Sequence, residues 1–172
     1  MTEITVRALS EDEWQLFRDI RLAALTDSPE AFVATTAQEE DYDEDFWRLR
    51  LRRARRLYAE ADRQAVGVAS LGQLADDAET GELFGLWVEP AWRGKSVAAT
   101  LVRRGAEEAA EQGFERLAYW VSTDNGRAVA FASSFGFRPT GSRRPMRVQG
   151  QDGEEEEIAM VLPLAGDRGS TW

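Results

Sequence analysis

Short alternating or apolar runs, separated by polar turns, divide this chain between longer stretches of helical apolar spacing. Ile4–Ala8 is short, β-branched and alternating, which predicts a strand. Ser10 and Glu13 form an S-x-x-E capping box that opens a helix, and Leu16, Phe17, Ile20, Ala23 and Ala24 give it one apolar stripe to about Thr26. Asp27-Ser28-Pro29 breaks it. A second helix is expected over Asp43–Ala54, with acids in its first turn and arginines in its last, as the helix dipole prefers. Leu57–Ala61 and Ala65–Leu74 are strand-like runs around Asp62-Arg63-Gln64. The acidic stretch Asp76–Thr80 reads as a loop, and Glu82–Val88 as a strand ended by Pro90.

From Ser96 to Gln112 the pattern is helical. Val97, Ala98, Leu101, Val102, Gly105 and Ala109 face inward, Arg103, Arg104, Glu107, Glu108 and Glu111 face outward, and Gly113 stops the helix. Leu117–Val121 reads as a buried strand. Thr123 or Asp124 caps a further helix that runs to Phe135 and ends at Gly136. Arg143–Val148 and Glu156–Leu162 then flank the turn Gln149–Gly153 as a hairpin. The order β-α-α-β-β-β-α-β-α-β-β describes one mixed α/β (α+β) domain.

Composition narrows the chemistry. The 172 residues contain neither cysteine nor histidine. Disulfides, thiolate nucleophiles, zinc–thiolate sites, imidazole bases and Ser-His-Asp triads are therefore excluded. Acid–base work falls to carboxylates, tyrosines, amines or water. The net charge of −10 argues against a general nucleic-acid binder and favours cationic partners. The start MTEITVRALS has no secretory pattern, and no stretch approaches the roughly 20 apolar residues of a membrane helix, so a soluble, cytoplasmic protein without membrane or nucleic-acid partners is expected. The basic run Arg48–Arg56 reads as a solvated helix face balancing nearby acids, and Glu154–Glu157 as solvated.

The informative segment is Leu86–Leu101, strand, proline, turn, then helix. Small residues at Gly94, Ser96 and Ala98 let backbone approach an anion at a helix N-terminus, and Arg93 and Lys95 (the only lysine) add positive charge. This is a candidate pyrophosphate cradle. Gly94-Lys95-Ser96 matches the end of a P-loop, yet Glu89 stands where that motif needs its first glycine.

Arg93-Gly94-Lys95-Ser96-Val97-Ala98, preceded by Val88-Glu89-Pro90, resembles the acetyl-CoA signature Arg/Gln-x-x-Gly-x-Gly/Ala of the GNAT superfamily of N-acetyltransferases. Asn125-Gly126-Arg127-Ala128-Val129, leading to Phe135-Gly136-Phe137, resembles the family's second signature, and the last strand and the element order are also similar. The resemblance spans nearly the whole chain. It implies a single N-acetyltransferase domain over 1–172 with a flexible tail at 164–172. Its central mixed, mostly antiparallel sheet would have about seven strands, splayed between the fourth and fifth, with about four flanking helices.

By the same resemblance, Leu86, Trp87 and Val88 contact the pantetheine arm of acetyl-CoA. Arg93, Gly94, Lys95, Ser96, Val97 and Ala98 hold pyrophosphate, chiefly through main-chain N–H groups, and Asn125 contacts the arm from the far side. No metal is expected. Ser96 replaces the signature glycine, which is tolerable if the turn needs no positive φ. Ala132 stands where many members carry a tyrosine that protonates the departing thiolate, while Tyr42, Tyr58 and Tyr119 lie elsewhere, leaving the general acid unassigned and solvent as the stand-in.

Alternation puts Glu82 on one strand face with Phe84, Leu86 and Val88, making it the candidate base; the alternative is a solvated strand start. Trp87, Trp92 and Trp120 line either an acceptor pocket or the core, and Glu30, Phe32, Asp41 and Tyr42 border the acceptor if element order is the guide. The expected reaction is acetyl transfer to a primary amine, on a small molecule or peptide, by direct attack without an acyl-enzyme. A non-catalytic acyl-CoA-binding module is the alternative, with a nucleotide-binding P-loop protein behind it. Homodimers are common in the family and are a further expectation.

Overall fold

The strands join in one seven-stranded sheet of order β1-β2-β3-β4-β5-β7-β6. The computed structural model describes residues 3–32, 34–145 and 156–164. The elements are β1 (Thr5–Ala8), α1 (Trp14–Asp27), α2 (Thr36–Glu39), α3 (Glu44–Arg53), β2 (Arg55–Ala61), β3 (Gln64–Leu74), β4 (Asp77–Val88), α4 (Val97–Glu111), β5 (Arg116–Ser122), α5 (Gly126–Ser134), β6 (Arg138–Pro145) and β7 (Glu156–Pro163). The β4–β5 pair is parallel. The pairs β1–β2, β2–β3, β5–β7 and β6–β7 are antiparallel. Among the described residues, no helix is long and apolar enough to cross a membrane.

Two compact units divide the chain: Met1–Gly72 with Gly85–Gly105, and Gln73–Phe84 with Ala106–Trp172. In the first, α1 lays Phe17, Ile20 and Ala24 into a core with Trp47, Tyr58, Val68 and Trp87. Phe17 and Trp47 meet edge to face at 5.8 Å. The Ser10–Glu13 capping box forms, but its first turn is a 3-10 turn and α1 proper starts at Trp14. Asp43 caps α3 through Phe46 N–H at 3.0 Å.

The basic run departs from the solvated face expected of it. Arg48 and Arg52 do pair with surface acids. Arg50 instead joins Arg21 on the buried Glu39, each guanidinium forking onto both carboxylate oxygens at 2.8–3.3 Å. Arg56 is buried too, donating to Arg50 O at 3.2 Å and Ser70 Oγ at 2.7 Å. Burial, and then the like charges of Arg50 and Arg21, lowers its guanidinium. Helix α2, which supplies Glu39, was not expected from periodicity. Its marker is the Thr35–Gln38 capping box.

In the second unit, Asp77–Gly81 belongs to β4, where a loop is expected from its acidity. The turn is confined to Ala75-Asp76, with Asp76 at φ +65°, and Thr80 is buried and donates to Asp77 Oδ2 at 2.7 Å. Thr80–Leu83 pair with Arg116–Tyr119, and β5 pairs along its length with β7. Gly113, at φ +90°, ends α4 in a Schellman motif, with its own N–H bonded to Ala110 O and Phe114 N–H to Ala109 O. Glu108 is buried rather than facing outward. Asn125, not Thr123 or Asp124, caps α5. Strand β6 begins at Arg138, earlier than expected.

Glu156 is exposed. Glu157 is half-buried and paired with Arg144. Leu164 is buried, its N–H donating to Glu115 O at 2.9 Å. The expected turn Gln149–Gly153 and residues 165–172 of the expected tail lie outside the described residues.

Candidate active site

The end of β4 and the start of α4 are built from backbone. Glu89 N–H donates to Val66 O at 2.9 Å, fixing the strand's end to β3. The 3-10 turn Pro90–Trp92 follows, capped by the Glu89 carboxylate on Ala91 N–H at 3.0 Å. Gly94 at φ +78° and Ser96 at φ +72° then turn the chain into α4. Thr100 closes the first helical turn on Ser96 O, by its N–H at 3.0 Å and its Oγ1 at 2.7 Å. Left-handed residues just before a helix start direct successive N–H groups to one side, the concavity that anions occupy.

Ser96 is not in the negative-φ conformation in which serine would be tolerated without strain. The turn takes a positive φ there, and serine carries the strain that glycine would avoid. Around Gly94, a Cβ would meet no protein atom within 4 Å, so its open side can admit a ligand.

Gly67 sets where α4 sits. A Cβ on it would lie 2.8 Å from Val97 Cγ1, 2.9 Å from Leu101 Cδ1 and 3.1 Å from Trp87 O. The first turn of α4 therefore rests on bare β3 backbone beside the end of β4. Val97 and Leu101 are buried there.

Arg93 does not point freely at an anion. Its Nε donates to Val88 O at 3.0 Å and its Nη2 to Asp27 Oδ2 at 2.6 Å. The same oxygen accepts Trp87 Nε1 at 3.0 Å and Ser28 Oγ at 2.7 Å. Hydrogen bonds from Ser28, Trp87 and Arg93 hold the Asp27 carboxyl below the usual range. Lys95 Nζ lies 5.4 Å from the centre of the half-buried Trp92 ring, a cation–π contact. Leu86 and Val88 are half-buried, whereas the Trp87 side chain is buried in the core described above. A cavity of about 240 Å³ borders it, lined by Ile20 and Ala23 of α1 together with Tyr58 and Ala65.

In the second unit, Glu82 is largely covered and lies 3.7 Å from Arg144 Nη2. Arg144 also pairs with Glu157 and stacks over Trp120 at 4.0 Å. Phe84 is 37% exposed. Gly85, at φ +63°, interrupts the alternation that grouped Glu82 with Leu86 and Val88. Asn125 Oδ1 accepts Ala128 N–H at 3.1 Å as the cap of α5. Ala132 is buried, and burial raises the phenols of Tyr58 and Tyr119.

Of the residues expected to border the acceptor, Glu30 and Asp41 are exposed. Phe32 lies under Arg21, and Tyr42 packs on Phe46 at 3.9 Å. Among the described residues, no group of three carboxylates is placed to hold a metal.

Arg93 and the run Gly94–Ala98 thus meet the end of β4 in one unit, while Glu82 and Asn125 belong to the other. Two residues of this arrangement escaped the sequence reading. Asp27 appeared there only as a helix breaker, and Gly67 only as a residue of a strand.

The model of the "Acetyltransferase (GNAT) family" matches residues 13–137. Among solved structures, yncA of Salmonella typhimurium with its cofactor acetyl-CoA superimposes with a TM-score of 0.74 at 20% identity, over 95% of each chain. The ribosomal-protein-alanine N-acetyltransferase of Brucella melitensis superimposes with a TM-score of 0.73 at 23% identity, over 93% of this chain and 99% of that one. The ribosomal-protein-S18-alanine N-acetyltransferase of Escherichia coli does so at 0.68 and 19%, over 95% of each. A comparison with curated proteins finds no match.

Proposed function

The chain belongs to the GNAT acetyltransferase family, and from that premise we propose that it is an acetyl-CoA-dependent N-acetyltransferase. The observation that carries this reading is the loop before α4. Gly94 and Ser96 hold left-handed backbone, the space beside Gly94 is open, and the helix start is pressed onto β3 at Gly67. These features fit a pyrophosphate bound by the main-chain N–H groups of Gly94–Ala98. The structure of yncA with its cofactor acetyl-CoA supports the same choice of acyl donor.

Acetyl-CoA supplies an activated acetyl thioester. Backbone at Leu86–Val88 aligns its arm, and strand N–H groups polarise the carbonyl. The acceptor nitrogen attacks that carbonyl, the C–S bond breaks, and sulfur leaves as the thiolate, which takes a proton from solvent. Glu82, directly or through water, takes the proton that the amine gives up. No step needs cysteine or histidine.

For the acceptor we favour a cationic amine or a peptide N-terminus. The net charge of −10 attracts cations, and two structural neighbours are ribosomal-protein-alanine N-acetyltransferases.

The test is thiol release from acetyl-CoA across a panel of polyamines, aryl-alkyl amines and peptides with free N-termini. Release with at least one amine supports the enzyme reading. Tight CoA binding with no release on any amine gives preference to a non-catalytic acyl-CoA module, and binding of magnesium-ATP in place of CoA defeats both. For the base, Glu82→Gln lowers turnover at neutral pH by about 10²-fold with CoA affinity nearly unchanged. An unaltered pH–rate profile in that variant removes Glu82 from the role.

A further inference from the structure

One oxygen of Asp27 gathers donors from three places in the first unit: Ser28 at the end of α1, Trp87 in β4, and Arg93 in the loop, at 2.7, 3.0 and 2.6 Å. Arg93 in turn reaches Val88 O at 3.0 Å with its Nε. Its guanidinium thus bridges the carboxylate that ends α1 and the carbonyl that ends β4, five residues before Arg93 itself. The hydrogen bonds that define this bridge use a carboxylate whose own position is fixed by an indole from the buried core. Chains of this kind fix both the direction and the distance of the side chains in them.

Resting on the acetyl-CoA reading, we propose that Asp27 is a positioning residue for the pyrophosphate loop. It makes Arg93 a strut that sets the loop against the last residues of β4, and phosphate recognition is left to the main-chain N–H groups of Gly94–Ala98. By resemblance Arg93 belongs to a loop that holds pyrophosphate chiefly through main-chain N–H groups; the strut gives its guanidinium a separate task. It also makes Asp27, far away in sequence, part of the cofactor site.

The two roles for Arg93 predict opposite signs. If Asp27 holds a strut, Asp27→Asn loosens the loop. The CoA dissociation constant, measured by calorimetry, then rises about 5- to 10-fold. KM for acetyl-CoA rises with it while kcat stays within about twofold. Adding Arg93→Gln to Asp27→Asn then costs little more, because the two residues act as one unit. If Arg93 is instead a phosphate ligand that Asp27 competes for, Asp27→Asn frees it and CoA binds more tightly. Tighter or unchanged binding overturns the proposal.

A merely structural role is distinguished by S-acetylpantetheine, which lacks the pyrophosphate. The strut predicts unchanged kcat/KM for that thioester in Asp27→Asn, and a loss equal to that seen with acetyl-CoA overturns it. Should Asp27→Asn unfold below assay temperature, Arg93→Lys carries the test, since it keeps the charge and loses the two-pronged reach. The strut predicts weakened CoA binding in that variant, and wild-type affinity counts against it. A wild-type protein that binds no CoA sinks the acetyltransferase reading instead, so the two failures are separable.

Discussion

Ser96 holds φ +72° without glycine's freedom, at the point where the loop becomes α4. A left-handed conformation costs an ordinary residue roughly 1–2 kcal/mol, and the entropy of a more flexible unfolded glycine returns part of that. Ser96→Gly is therefore expected to stabilise the fold by about 0.5–1 kcal/mol, read as a raised midpoint in urea. Gly94 makes the complementary case. It is also left-handed, but no protein atom crowds it. Gly94→Ala should cost only the strain, about 1 kcal/mol in stability, while its methyl group occupies the space a phosphate needs. Calorimetry should show CoA affinity falling by more than tenfold; an equal, small loss in both quantities would contradict the cradle.

Elements are positioned here by close contact and by buried charge. Gly67→Ala pushes a Cβ into Val97, Leu101 and the Trp87 carbonyl, two of these contacts below 3.0 Å, so the Val97 and Leu101 side chains, or α4 with them, must shift. The expected loss is about 2–3 kcal/mol with weakened CoA binding, measured by urea unfolding and calorimetry.

Helix α2 is anchored differently, by Glu39 between Arg21 and Arg50. Burial raises that carboxyl, but the hydrogen bonds and charges of the two arginines outweigh burial and leave it below its ordinary value. A carboxyl depressed by folding adds stability that is fully present above its unfolded value and fades as pH falls through the folded one. Glu39→Gln should cost about 3 kcal/mol at neutral pH and flatten the acid limb of the stability curve. An unchanged slope below pH 5 would contradict it.

These contacts also mark what the sequence could carry. Helix α3 is legible from Asp43 to Ala54 because its cap and terminal charges are local. The Asp77–Gly81 part of β4 is not, because its acids look like turn residues and only Asp76 holds turn geometry. Helix α2 is too short to show a period, and Glu39 looks like any surface acid until two distant arginines close on it.

At the scale of the whole molecule, charge and chemistry separate. A protein at −10 would repel an anionic ligand were its field uniform, yet the loop offers main-chain N–H groups and Lys95. The family was legible because the segments that resemble its signatures, Arg93–Ala98 and Asn125–Val129, are each contiguous in sequence. The Asp27–Arg93 bridge spans 66 positions and had no local mark. Binding to the native state alone stabilises by mass action, about 2.7 kcal/mol at one hundred times the dissociation constant. Saturating CoA is therefore expected to raise the melting temperature by about 5–10 °C in a scanning experiment. Pantetheine at the same concentration should do far less, and equal shifts would argue against a pyrophosphate cradle.

The cation–π contact between Lys95 and Trp92 has a practical consequence. Because the chain has no other lysine, an amine-directed reagent finds a single ε-amino group, and it stands in the loop beside an indole. Acylating it removes the charge over the ring and leaves a covalent tag in the same place. The mass of one tryptic region would then report, without any engineered label, how far CoA shields that loop.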